Sequence, residues 1–127
     1  MKRCCSAVIV AAGESARMGM GTSKQFLPLM GIPAIAHTLK AFEVAPPIDQ
    51  VVIVCREQDV PEMKRCVKEF CFSKVNAVVP GGETRQKSVA AGVKAAGNAD
   101  FLAIHDGARA LITPLEIMKV MEDAFVY

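Results

Sequence analysis

Three short segments of this 127-residue chain carry the residue types that handle phosphate groups. The first is Ala11-Ala12-Gly13-Glu14-Ser15-Ala16-Arg17-Met18-Gly19-Met20-Gly21-Thr22-Ser23-Lys24. Small residues let the backbone approach a ligand closely, so that its N–H groups can surround phosphate oxygens. Arg17 and Lys24 add two cations, a natural pair for a polyphosphate. The second segment is Pro80-Gly81-Gly82-Glu83-Thr84-Arg85-Gln86-Lys87-Ser88. Here Thr84 is placed to cap a following helix whose start offers free N–H donors, and Ser88, one turn in, could hydrogen-bond a base. The third is His105-Asp106-Gly107-Ala108-Arg109. An aspartate there can meet a metal, a ribose hydroxyl or a substrate hydroxyl, and Arg109 can hold a phosphate or orient the aspartate. Neither G-x-G-x-x-G nor G-x-x-x-x-G-K-[ST] occurs, so this is neither a dinucleotide fingerprint nor a P-loop. Taken singly, each segment also reads as an ordinary turn. His105 reads as a buried, hydrogen-bonded histidine rather than a base, and His37 as a packing or helix-capping residue.

The elements that must position these segments follow from periodicity. Four apolar runs, 7–11, 51–54, 75–79 and 101–104, are rich in Val or Ile and continuous rather than alternating. That pattern suits strands buried on both faces of a parallel sheet. Between them, 33–44, 60–70 and 84–96 carry apolar residues at helical spacing, with Pro61 near a first turn. Thr113-Pro114-Leu115-Glu116 reads as the start of a fourth helix reaching about Val126. Strict strand–helix alternation predicts an α/β fold: a Rossmann-like layered domain with a mainly parallel sheet and helices on both faces. All three chemical segments follow strands, so they fall on the same edge of one sheet, where ligands of open α/β sheets bind. Convergence on one crevice lifts them above unrelated turns.

Composition narrows the possibilities. The chain is 52% hydrophobic and 22% charged with a formal net charge of +2, enough for one domain spanning 1–127 and too little for two. No polybasic tail or patch argues for nucleic acid or a membrane surface. No apolar run approaches the roughly 20 residues needed to span a bilayer. The five cysteines are odd in number, contain no C-x-x-C pair and read as reduced, mostly buried thiols of a cytoplasmic protein.

The same residues resemble those of a known family. Val10-Ala11-Ala12-Gly13 through Arg17-Met18-Gly19, then Lys24-Gln25-Phe26-Leu27-Pro28-Leu29 and Gly31-Ile32-Pro33, look like the opening of 2-C-methyl-D-erythritol 4-phosphate cytidylyltransferases. His37-Thr38-Leu39, Phe42, the run Gly81 to Val89 and the run His105 to Arg109 continue the likeness over essentially the whole chain. The resemblance implies transfer of CMP from CTP to 2-C-methyl-D-erythritol 4-phosphate with release of pyrophosphate and help from Mg²⁺, a step of non-mevalonate isoprenoid biosynthesis. It implies that Arg17 and Lys24 are catalytic, that Ala11, Ala12, Gly13, Glu14, Ser15, Gly82, Arg85 and Ser88 bind the nucleotide, and that Asp106 and Arg109 bind substrate, with Asp106 also the candidate metal ligand. Ser15, Ser23, Gly107 and Ala110 depart from residues usual in the family. Family members are close to twice this length, so the chain is expected to be the N-terminal part of a longer, homodimeric enzyme, without the arm that builds the dimer. A relative acting on another polyol phosphate such as ribitol 5-phosphate, and a CTP-binding module that no longer catalyses, are the alternatives. A molybdopterin-type guanylyltransferase shares the Arg-Met-Gly ending of the first loop but not the second and third segments.

Overall fold

A computed structural model describes residues 4–12, 26–97 and 99–106. The expected fourth helix, 113–126, lies outside the described residues. β1 (Cys5–Ala11) is buried along its whole length. It lies between β4 (Gln50–Cys55) and β6 (Phe101–Asp106), and β5 (Val75–Pro80) closes the far side of β4. The order β5-β4-β1-β6 is parallel throughout, with Val8 in register with Val52 on one side and Ile104 on the other.

The continuous apolar runs are explained by two cores. On one face Cys5, Ala7, Ile9 and Ala11 pack with Ile53, Cys55 and the helices α1 (Ala34–Glu43) and α2 (Val60–Glu69), through Ile35, Leu39, Phe42, Met63 and Cys66. On the other, Val8, Val10, Val52 and Val54 meet α3 (Arg85–Ala96) through Val89 and Ala96. Strand order and helix placement are one fact. The chain moves from β1 to β4 to β5 in one direction and then reverses to β6. A right-handed crossover puts the helix on the opposite face when direction reverses, so α3 sits opposite α1 and α2.

α3 begins as its sequence predicts: Thr84 is extended and its Oγ1 accepts the N–H of Lys87 at 3.1 Å. α2 starts with Pro61 in its first turn and is preceded by a single 3₁₀ turn, Glu57–Asp59. Gly92 lies where α3 crosses the sheet. A Cβ there would collide with Val8 and Val54, so the missing side chain sets how closely helix and sheet approach.

One element was not foreseen from the sequence. β2 (Pro28–Leu29) and β3 (Ile32–Pro33) form a small antiparallel hairpin. Its two-residue turn holds Met30 at φ 56° and Gly31 at φ 81°, the double left-handed geometry of a type I′ turn. The hairpin is fastened to α1 by the Ala34 N–H donating to the Leu27 carbonyl oxygen at 2.9 Å and by His37 Nε2, 2.6 Å from the Leu29 carbonyl oxygen. His37 is thus a structural tie, as its place inside a helix suggests. His105 is half-buried and packs edge-on against Phe42, with ring centroids 5.2 Å apart.

Candidate nucleotide-binding site

At the carboxyl edge of the sheet the chain leaves β1 at Ala12, β4 at Arg56, β5 at Gly81 and β6 at Asp106. The reversal of chain direction lies between β1 and β6, the kind of switch point at which open α/β sheets open a crevice. Val10 is in register with Asp106, which places that exposed carboxylate at the crevice mouth, one strand from Ala12.

The β5–α3 segment is folded against the end of β1. Gly81 N–H donates to the Cys55 carbonyl at 2.8 Å, which anchors the turn to the end of β4. A Cβ on Gly81 would stand 2.6 Å from Ser88 Oγ and 2.7 Å from Ala12 Cβ. Neither neighbour can move far: Ser88 is 2% exposed, and Ala12 follows a fully buried strand. Only glycine lets these two chain segments touch. The Ser88 hydroxyl accepts the Gly82 N–H at 3.1 Å, so Ser88 shapes the loop from beneath. Thr84 caps α3, leaving its first-turn N–H groups at the rim, and no acidic residue occupies that first turn. Arg85 is exposed at the helix start. The result is a small, rigid, donor-rich rim suited to an anion or a hydrogen-bonding base edge.

The structure therefore brings together Ala12, Gly82 and Ser88 of the predicted site around Gly81, with Arg85 exposed at the start of α3 and Asp106 across β1, whereas Ala11 is buried in the core on the opposite face of the sheet. Gly13, Glu14, Ser15, Arg17, Lys24 and Arg109 lie outside the described residues. Gly81 joins the site, wedged between Ala12 and Ser88, and a Cβ on Gly82 would likewise stand 2.4 Å from Lys87 Cβ. Two successive glycines after a strand were the signal, but what each of them packs against depends on where α3 and β1 lie. Arg56 was not foreseen either: it follows β4 on this edge, with Nε 3.6 Å from the buried Asp59 carboxylate. Its part is to hold the β4–α2 turn.

Among the described residues no three His, Cys, Asp or Glu side chains cluster as a metal site. Magnesium needs less than that, taking one or two carboxylates and drawing its other oxygens from phosphate and water. Asp106 beside a polyphosphate is a donor set that fits. None of the thiols is placed to be a nucleophile here. Burial, aided by the Asp59 charge, pushes Cys55 up to about 12.

Comparison with known proteins finds relatives over nearly the whole chain. The family described as 2-C-methyl-D-erythritol 4-phosphate cytidylyltransferase (IspD) matches residues 5–125. A protein of that name from Dehalococcoides mccartyi is 48% identical over 118 residues, covering 93% of this chain and 52% of its own length. One from Halalkalibacterium halodurans is 44% identical over 119 residues, covering 94% of this chain and 52% of its own. The crystal structure of the 4-diphosphocytidyl-2C-methyl-D-erythritol synthase of Anaerococcus prevotii shares the fold, with a TM-score of 0.80 at 24% identity, over 97% of this chain and 51% of that one. The chain thus spans about half the length of the curated relatives it matches. A match running from the first strand to beyond the last, with the glycine–serine contact and the Asp106 crevice inside it, means that the chain belongs to the 2-C-methyl-D-erythritol 4-phosphate cytidylyltransferase family.

Proposed function

We propose that this chain forms the CTP-binding half of an enzyme that transfers CMP from CTP to 2-C-methyl-D-erythritol 4-phosphate and releases pyrophosphate, in isoprenoid biosynthesis. The observation that carries the reading is the close packing of Gly81 between Ala12 and Ser88 beneath a capped helix start, within a chain of this family.

The chemistry asks for little beyond placement and charge. A phosphate monoester oxygen of the alcohol substrate is already a nucleophile. It attacks the α-phosphorus of CTP in line, the new P–O bond forms as the bond to the bridging oxygen breaks, and pyrophosphate carries away the electron pair. No strong general base is needed, so catalysis consists of orientation and neutralisation of charge. In this reading Ala11 to Ser15 cradle the triphosphate, and Arg17 and Lys24 neutralise charge growing on the leaving group. The Gly82 backbone, held by Ser88, and Arg85 meet the cytosine and ribose. Asp106 and Arg109 face the alcohol phosphate. Magnesium, when bound, supplies charge neutralisation on the phosphates, and Asp106 is the described side chain to hold it. From the family resemblance we infer a cytoplasmic homodimer.

Calorimetric titration with CTP, ATP, GTP and UTP, each with Mg²⁺, tests the reading. Selective heat for CTP is the expected result. Equal affinity for all four nucleotides in folded protein would remove cytosine recognition from the Gly82–Ser88 segment.

A further inference from the structure

We propose that Arg56, through its pair with Asp59, is a positioning residue for the nucleotide rim: it fixes the Cys55 carbonyl from which Gly81 hangs. This deepens the reading of the β5–α3 segment as the nucleotide site and rests on it. Cys55 ends β4 in register with Pro80, and its carbonyl takes the Gly81 N–H at 2.8 Å. The direction of that carbonyl is set by one planar peptide unit, which turns with ψ of Cys55 and φ of Arg56. Cys55 is held in the buried sheet, and Arg56, with φ −66°, is the first residue beyond it. The Arg56 backbone is fixed twice over. Its carbonyl accepts the Asp59 N–H at 2.8 Å, and its side-chain Nε lies 3.6 Å from the Asp59 carboxylate. The two side chains are only 13% and 10% exposed, so water screens the pair weakly.

Stability does not account for this pair. Arg56 Nε is buried and, among the described residues, has no hydrogen-bond partner. At 3.6 Å the carboxylate supplies charge but no hydrogen bond. A buried donor left in that state is costly, and an apolar side chain of similar volume would fill the space without the cost. Such a group needs a role other than packing. Its place in the fold supplies one. β4 lies between β1 and β5, the two strands whose ends carry Ala12 and Gly81. A twist of the peptide after Cys55 moves Gly81 against Ala12 and Ser88, where there is no room even for a Cβ. The guanidinium can also be removed without leaving the Asp59 charge bare, because Asp59 is the N-cap residue of α2 and the positive end of that helix faces it.

Amide exchange and CTP titration of Arg56→Met, Asp59→Asn and Arg56→Lys test the assignment. Arg56→Met keeps the aliphatic stem and loses the guanidinium. Exchange of the Gly81 N–H is expected to quicken at least about tenfold relative to the Val8 and Val52 amides, and CTP affinity to fall about tenfold. Asp59→Asn is expected to do the same, with no further loss in the double variant, because the two side chains act as one unit. Arg56→Lys restores the charge and is expected to bring both readings back to within about threefold of the native chain. Gly81 exchange that rises only in step with Val8 and Val52 would make the pair a plain structural tie and overturn the proposal. So would weaker CTP binding with Gly81 exchange unchanged, which would make Arg56 a direct contact, or losses that add in the double variant. If the native chain takes up no nucleotide while Gly81 still loosens in Arg56→Met, the clamp stands and the nucleotide reading falls.

Discussion

Gly81 carries more of the site than any charged residue the structure describes. Its missing side chain is what lets Ala12 and Ser88 both close on it, so Gly81→Ala must push apart the end of β1 and the first turn of α3. The expected outcome is loss of CTP binding by at least about tenfold with near-native circular dichroism, since the hardest clashes, with Ser88 and Ala12, lie at the rim and the approach to the core residue Val54 is milder at 3.1 Å. Unchanged calorimetric affinity would show that the loop does not touch the nucleotide. The thiols give a second expectation at this scale. Burial and the Asp59 charge raise Cys55 to about 12, and burial with the charges of Glu69 and Glu62 raises Cys66 to about 11. Both are held as neutral thiols at physiological pH and are shielded from reagents. Alkylation of native protein, followed by peptide mass spectrometry, should modify the exposed Cys71 and spare Cys55 and Cys66 until denaturant is added.

At the scale of elements, the strands and helices were legible because burial on both sheet faces leaves continuous Val- and Ile-rich runs, and because Thr84 and Pro61 punctuate helix starts. The hairpin was not legible. Its strands are two residues long, too short for any period, and its turn uses Met30 at a left-handed position where asparagine or glycine is usual. The contact among Ala12, Gly81 and Ser88 was hidden for a different reason: it depends on strand order, which local pattern does not contain. Connections between elements also carry stability. Desolvation alone would raise the Glu43 carboxyl, but hydrogen bonds from Ser73 Oγ (2.6 Å) and the Lys74 N–H (2.9 Å) outweigh it and hold the group below its ordinary 4.5. Because the folded value is depressed, this contribution is present above the unfolded value and is lost as pH falls through the folded one. Urea unfolding should therefore show stability declining below pH 4.5, and Glu43→Gln should flatten that decline while costing about 1 kcal/mol at neutral pH. An unaltered acid limb in the variant would assign the decline to other carboxylates.

At the scale of the whole molecule, the described sheet holds one wall of a crevice. In the proposed reading, CTP is selected on the β1, β5 and α3 side, and much of what orients the alcohol phosphate lies in the half of the relatives' length that this chain does not match. Little or no pyrophosphate release is thus expected from the 127-residue chain mixed with CTP, Mg²⁺ and 2-C-methyl-D-erythritol 4-phosphate, even where CTP binds. A coupled pyrophosphate assay decides it, and robust turnover would place the whole catalytic site on this chain.

The central position of β1 has a consequence for how the molecule comes into being. The first of the described strands is flanked on both sides, and its second neighbour is closed by the Asp100 carboxylate taking the Cys4 N–H at 2.7 Å, 96 residues along the chain. On a ribosome, β1 and β4 can pair early, but one flank of the innermost strand stays open until nearly the whole described chain has emerged. Long-range closure of this kind slows folding. It leaves a strand that ends wholly buried in need of shelter until that closure.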